Sequence, residues 1–273
     1  MRHQAVTRFG LWALFFVLAC QGGEKSAPAE PAPASAQAGR PAKTDEPTEA
    51  PKKKAGTAAV PDSLPNALLL SYSQFQVVDG KATAKPGPAR LDILTREGGA
   101  WNTETVEDAQ SNVFHKAMLL SPRGQAPGIL TLGGSGAYVK LWRRAKGKLR
   151  PTTLWQAEFG GKFNRMRDAE VADLYGDGTP AIAVATHDQG VVAVLRQNAK
   201  KWNVERIDKK KDTFVHEIEI GDLDKDGTLE VYATPSEPNK LDAEAQHGEV
   251  VRYVPKKGQG PTVVADLGKR HAK

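Results

Sequence analysis

The chain has 273 residues, room for one or two domains, with 26% charged residues and a net charge of +6. The positive excess sits in short runs such as Lys52-Lys53-Lys54 and Lys209-Lys210-Lys211 with no nucleic-acid-binding motif beside them, which argues against DNA or RNA as a partner. A single cysteine, Cys20, excludes an intrachain disulfide.

Taken in order, the chain opens with a basic segment (Arg2, His3, Arg8) followed by the apolar run Phe9 to Ala19. Such a run is too short to cross a bilayer as a helix and reads as a signal peptide over residues 1–19. It ends in Val17-Leu18-Ala19-Cys20, which resembles the lipobox of bacterial lipoproteins. That resemblance implies lipidation at Cys20, and several acyl chains together give stable membrane anchoring. It also implies a lipid-anchored place in the bacterial cell envelope, and Gln21 after the cysteine favours the outer membrane. Between Gln21 and Ala59 there is no Leu, Ile, Val or aromatic residue. A segment of that composition buries no core, so residues 20–61 are expected to be a disordered tether spanning roughly 35 Å.

From residue 62 to 273 the pattern is periodic. His115-Lys-Ala-Met-Leu-Leu-Ser121, Arg167-Asp-Ala-Glu-Val-Ala-Asp173 and His216-Glu-Ile-Glu-Ile-Gly-Asp222 align without gaps, with spacings of 52 and 49 residues between their last members. Trp101-Asn-Thr-Glu-Thr-Val106 and Trp202-Asn-Val-Glu-Arg-Ile207 match at a separation of 101, the same as Ser121 to Asp222. The best-defined unit predicts four strands, Asp168–Ala172, Ala181–Thr186, Val191–Gln197 and Trp202–Ile207, with Gly, Asp, Asn and Lys in the turns. Four short antiparallel strands per repeat of about fifty residues describe a blade of a β-propeller, which buries its faces only against neighbouring blades. Leu68–Val78 and Arg90–Val106 read as a degraded further blade, so the expectation is an all-β propeller or partial propeller of about four four-stranded blades. Arg270-His271-Ala272-Lys273 resembles the start of another unit, compatible with a closed four-bladed ring, an open arc or a truncated record.

The chemistry concentrates in the third unit. Asp222, Asp224 and Asp226 recur at alternate positions, followed by Gly227 and then Glu230, between two alternating strand patterns. Clustered carboxylates repel one another unless a cation lies between them, and hard oxygen donors select Ca²⁺. The candidate ligands are the side chains of Asp222, Asp224, Asp226 and Glu230 and the Thr228 carbonyl. An EF-hand is disfavoured, because its twelfth position would be Ala233 and its flanks would be helical. A solvated Asp/Gly turn is the plain alternative.

The spacing Asp222-x-Asp224-x-Asp226-Gly227-x-x-Glu230 between strands resembles an FG-GAP or VCBS repeat, the blade of integrin-α-type propellers. That resemblance implies Ca²⁺ in this loop. The second unit keeps only Asp173 and Asp177 and reads as a weak second metal loop, while the first, with Ser121 and Gln125, reads as metal-free.

Catalytic patterns are thin, and no catalytic residue is assigned. Gly133-Gly134-Ser135-Gly136-Ala137 fails the nucleophile-elbow pattern and reads as a turn. His115, His216 and His271 share one repeat position, which suggests packing or a strand-edge hydrogen bond. Trp101 and Trp202 are expected to fill gaps between blades. The polar stretch Ser236 to Gly248, with Asp242, Glu244 and His247, reads as an extended loop able to carry binding function. Two functions follow: a non-catalytic, membrane-anchored binding or assembly module facing a protein or glycan, or a polysaccharide-lyase-like enzyme on a calcium-bearing propeller. The enzyme would gather side chains such as Lys140, Arg143 and Lys162 on one face.

Overall fold

The computed structural model describes residues 66–160, 164–187, 189–237 and 247–270, all within the compact unit Ala58–Lys273. The signal segment, Cys20 and the tether up to Pro61 lie outside the described residues, as do Lys162, Asp242, Glu244 and His271. The fold is all-β. Its strands are β1 (Ala67–Tyr72), β2 (Phe75–Val78), β3 (Lys81–Pro86), β4 (Ala89–Glu97), β5 (Ala100–Asp108), β6 (Phe114–Leu120), β7 (Gly128–Gly133), β8 (Tyr138–Ala145) and β9 (Lys148–Gln156). They continue with β10 (Met166–Ala172), β11 (Ala181–Thr186), β12 (Val191–Asn198), β13 (Lys201–Lys209), β14 (Phe214–Gly221), β15 (Glu230–Ser236), β16 (Glu249–Val254) and β17 (Gln259–Asp266). Among the described residues no helix is long and apolar enough to cross a membrane.

These strands pair into antiparallel sheets: sheet I in the order β1-β4-β5, sheet II β6-β7-β8-β9, sheet III β10-β11-β12-β13 and sheet IV β14-β15-β16-β17, with β2-β3 a separate hairpin. The repeat unit read from the sequence is therefore a four-stranded meander in sheets II, III and IV. The further upstream unit differs from the expected four strands. Asp79 and Gly80 both take positive φ, the backbone of a tight hairpin turn, so residues 75–86 fold on themselves and leave β1 to pair with β4. Because Trp101 of β5 matches Trp202 of β13, β1 stands where sheets II to IV have their second strand.

The sheets pack in chain order. Ala89, Leu91 and Ile93 of sheet I meet Phe114, Ile129 and Trp142 of sheet II. Leu130, Leu132, Val139 and Leu141 of sheet II meet Ile182, Val184, Ala193 and Leu195 of sheet III. Ala181, Ala183, Ala185, Val192 and Val194 of sheet III meet Ile218, Val231, Ala233 and Val251 of sheet IV. Alternate residues of one strand point to opposite faces, so β11 sends Ile182 and Val184 one way and its three alanines the other. A sheet covered on both faces has no polar side, which is why Ala181 to Ala185 reads as an unbroken apolar run. Among the described residues no core cluster joins sheet IV to sheet I. Leu141 is fully buried in this packing. Leu141→Ala is expected to cost about 2–5 kcal/mol in urea unfolding, whereas Leu119→Ala, on a side chain 71% exposed, changes the midpoint little.

Two interior features tie neighbouring sheets. Lys140 of β8 is 2% exposed and donates to Asp108 of β5 at 2.6 Å and to Gln110 at 2.8 Å. On the first strands, His115 Nδ1 lies 2.6 Å from the Met166 carbonyl, and Ile218 N donates to Asp168 at 3.0 Å, so β6, β10 and β14 adjoin one another.

Burial pushes the His115 imidazole down to about 4 against the opposing hydrogen bond with Met166, and Arg167, Arg165 and His187 push it further down. The folded protein then binds fewer protons than the unfolded chain between pH about 6.5 and about 4. Stability is expected to be intact above that window and to fall through it by about 3 kcal/mol. Urea midpoints of the wild type and His115→Gln across this range check it, the variant losing that part of the acid slope.

Candidate metal centre

The loop Asp222 to Leu229 joins β14 to β15, so strands flank the aspartates on both sides and the EF-hand arrangement is excluded. One carboxylate oxygen from each of Asp222, Asp224, Asp226 and Glu230 lies within 4.8 Å of the others. Oxygens around one Ca²⁺ at its usual bond length are separated by up to about 5 Å, so this set fits a single ion. Glu230 is fully buried as the first residue of β15, and Thr228 is buried, while Asp224 and Asp226 are exposed.

The turn is built by the side chains themselves. Asp222 accepts from the Asp226 and Gly227 backbone N–H groups at 3.0 Å each. Asp224 accepts from Asp226 N at 3.2 Å, and Asp226 from Thr228 N at 2.8 Å. Glu230 accepts from Leu223 N at 3.0 Å and from the Tyr232 hydroxyl at 3.1 Å. Gly227 sits at φ +81°, where a side chain would be strained.

Two cations that the sequence reading did not single out complete the site. Arg252 of β16 donates from Nη2 to Asp224 at 2.6 Å and to Glu230 at 2.5 Å. Lys257, in the short 3-10 turn Pro255–Lys257, donates to Asp226 at 2.5 Å. The Lys257 hydrogen bond, helped by Thr228, holds the Asp226 carboxyl down at about 2. Burial alone would raise Glu230, but Arg252, Leu223 N–H and Tyr232 outweigh it and leave the carboxyl below its ordinary value. Four carboxylates against two cations leave two negative charges, the amount one divalent ion supplies.

The second unit repeats the turn with fewer acids, and the first has none in its loop. Asp173 accepts from Asp177 N at 3.0 Å and Gly178 N at 2.7 Å, as Asp222 does from its equivalents. Asp177 accepts from Arg196 of β12 at 2.8 Å, and the Arg196 guanidinium lies 4.1 Å from the centroid of Tyr175, which stands at the position of Asp224. In the first unit Arg143 of β8 donates to the Ala126 carbonyl at 2.8 Å and to Gln125 at 3.1 Å. An arginine from the third strand thus reaches the first loop in each of the three sheets. In the second unit one arginine already sits on the two-carboxylate turn; in the third unit two cations leave charge over.

No protein-family model matches the chain, and no curated protein matches it.

The remaining sequence candidates are dispersed. Gly134 to Ala137 form the turn between β7 and β8. Trp202 packs on the core shared by sheets II and III, but Trp101 is 36% exposed on β5 and fills no gap between sheets. Lys140 is buried between sheets I and II, while Arg143 serves the β6–β7 loop from the other face of β8. In the polar stretch, Gly248 bridges to Ser236, and His247 Nε2 contacts Asp266 at 2.8 Å.

Proposed function

We propose that the chain is a non-catalytic binding or assembly module of the bacterial cell envelope, anchored through lipidated Cys20 and built as a partial β-propeller with one structural Ca²⁺ loop. The observation that carries the metal part of this reading is the residual double negative charge of the loop holding Asp222, Asp224, Asp226 and Glu230. The ion would be held by those four side chains and the Thr228 carbonyl, and it would stiffen the turn between β14 and β15 rather than meet a substrate. The propeller reading is supported by three consecutive four-stranded meanders that pack face to face in chain order with their first strands adjoining. A tether without apolar residues would hold such a module clear of the membrane and leave one of its faces to a protein or glycan partner.

Calorimetric titration of the full chain with Ca²⁺ tests the metal part: one saturable site is expected in the wild type and none in Asp224→Ala. Fractionation of expressing cells tests the anchor, with the wild type expected in membranes and Cys20→Ser released. Absence of calcium heat, or equal membrane partition of the two proteins, removes the corresponding part.

A further inference from the structure

The repeat position occupied by His115, Arg167 and His216 has a structural peculiarity. In sheet II the strand register shifts between Phe114 and Lys116, in sheet III between Met166 and Asp168, and in sheet IV between Val215 and Ile218. His115, Arg167 and His216 are therefore the residues left out of the ladder, joined in sheet IV by Glu217. A bulge gives up local pairing and re-aims the side chain of the extra residue. Here the same irregularity occurs three times on adjoining first strands, and each time the displaced residue is an arginine or a histidine.

Further cationic groups adjoin the position and help hold His115 neutral. All three side chains are half-buried, so they face both the protein and solvent. Arg165, Arg167 and His187 all act on His115 as positive charges. His187 stacks on Phe214 with centroids 3.6 Å apart and meets His216 edge-on at 5.5 Å. The Arg167 Nε–H is buried and has no hydrogen-bond partner, a costly state for a charged donor unless something outside the chain accepts from it. The nearest acids are engaged one residue further along the strands. Lys116 bridges Asp168 at 2.9 Å and Glu170 at 2.5 Å, and Asp168 also accepts from Ile218 N. Glu217 is exposed, shares a hydrogen bond with Asp168 and lies close enough to Arg167 to feel its charge. A metal cation suits this place poorly, because guanidinium groups adjoin it and His115 Nδ1 is committed to the Met166 carbonyl.

We propose that the repeated bulge position, His115, Arg167 and His216, forms a binding site for an oxyanion, the carboxylate or phosphate group of a small ligand. Arg167 supplies the charge and an unused N–H donor, and the two histidines flank the anion from the neighbouring strands. The site does not depend on the calcium loop.

The test is titration of the full chain with inorganic phosphate and, separately, with glucuronate, at about pH 6, following histidine NMR resonances and the thermal midpoint. Saturable shifts of the His115 and His216 resonances are expected, with a rise in the midpoint. Response to phosphate alone assigns a phosphate group, and response to glucuronate alone assigns an acidic sugar. Arg167→Gln is expected to weaken binding roughly tenfold, and Arg150→Gln, an exposed residue elsewhere, to leave it unchanged. No saturable shift with either anion, or the same affinity in Arg167→Gln, overturns the proposal. If Arg167→Gln fails to fold, the wild-type imidazole titration decides alone.

Discussion

Saturating Ca²⁺ is expected to raise the thermal unfolding midpoint of the chain by roughly 5–10 °C. A ligand held only by the folded state adds about 2.7 kcal/mol at a hundredfold excess over its dissociation constant, and each kcal/mol moves the midpoint of a domain of this size by about 2–4 °C. The gain is expected because Asp222, Asp224, Asp226 and Glu230 keep two negative charges within 4.8 Å after Arg252 and Lys257 are counted. Asp224→Ala removes one donor and most of the effect. Arg252→Ala sharpens the experiment. In the absence of metal it leaves buried Glu230 without its cation and lowers the midpoint, and Ca²⁺ restores more stability to the variant than to the wild type. Scanning calorimetry with Ca²⁺, Mg²⁺ or chelator reads all of these. Identical midpoints with Ca²⁺ and chelator in both proteins would leave Arg252 and Lys257 as the only counter-ions the loop uses.

Asp108→Ala is expected to destabilise the protein by about 3–5 kcal/mol, a larger loss than removal of any surface pair. Lys140 is 2% exposed, with its ammonium on Asp108 at 2.6 Å and lying 4.5 Å from the Tyr138 ring centroid, so loss of the carboxylate strands a charge between sheets I and II. The double variant Lys140→Met, Asp108→Leu is expected to recover most of the loss, because no charge is then left in the interface. Urea unfolding of the single and double variants gives both numbers. An Asp108→Ala cost below about 1 kcal/mol would mean that water reaches the pair and screens it.

The strands themselves were legible because local chemistry sets them. In the second repeat the predicted spans Asp168–Ala172, Ala181–Thr186, Val191–Gln197 and Trp202–Ile207 coincide with β10 to β13 to within two residues at each end. Period-2 alternation, apolar runs and turn residues are all properties of neighbours in the chain. The carboxylate set was legible for the same reason, since its members lie within nine residues of one another. The upstream unit was misread because Leu68–Val78 carries strand propensity throughout. The β2–β3 hairpin is local, turning at Asp79 and Gly80, but the pairing of β1 with β4 across it joins residues about twenty or more apart.

What the chain determines alone, then, is the strand repeat, the turn chemistry and the acidic loop with its Asp222 scaffold, because each is written in short-range pattern. Which cations meet that loop was a tertiary matter: Arg252 is opposite Tyr232 only through the pairing of β15 with β16, across a loop whose length sequence periodicity does not constrain. The same holds for Lys140 and Asp108, and for the three bulges that bring His115, Arg167 and His216 to adjoining strands. Those contacts exist only once sheets pack face to face, and electrostatic energy depends on the resulting distances and burial rather than on separation along the chain.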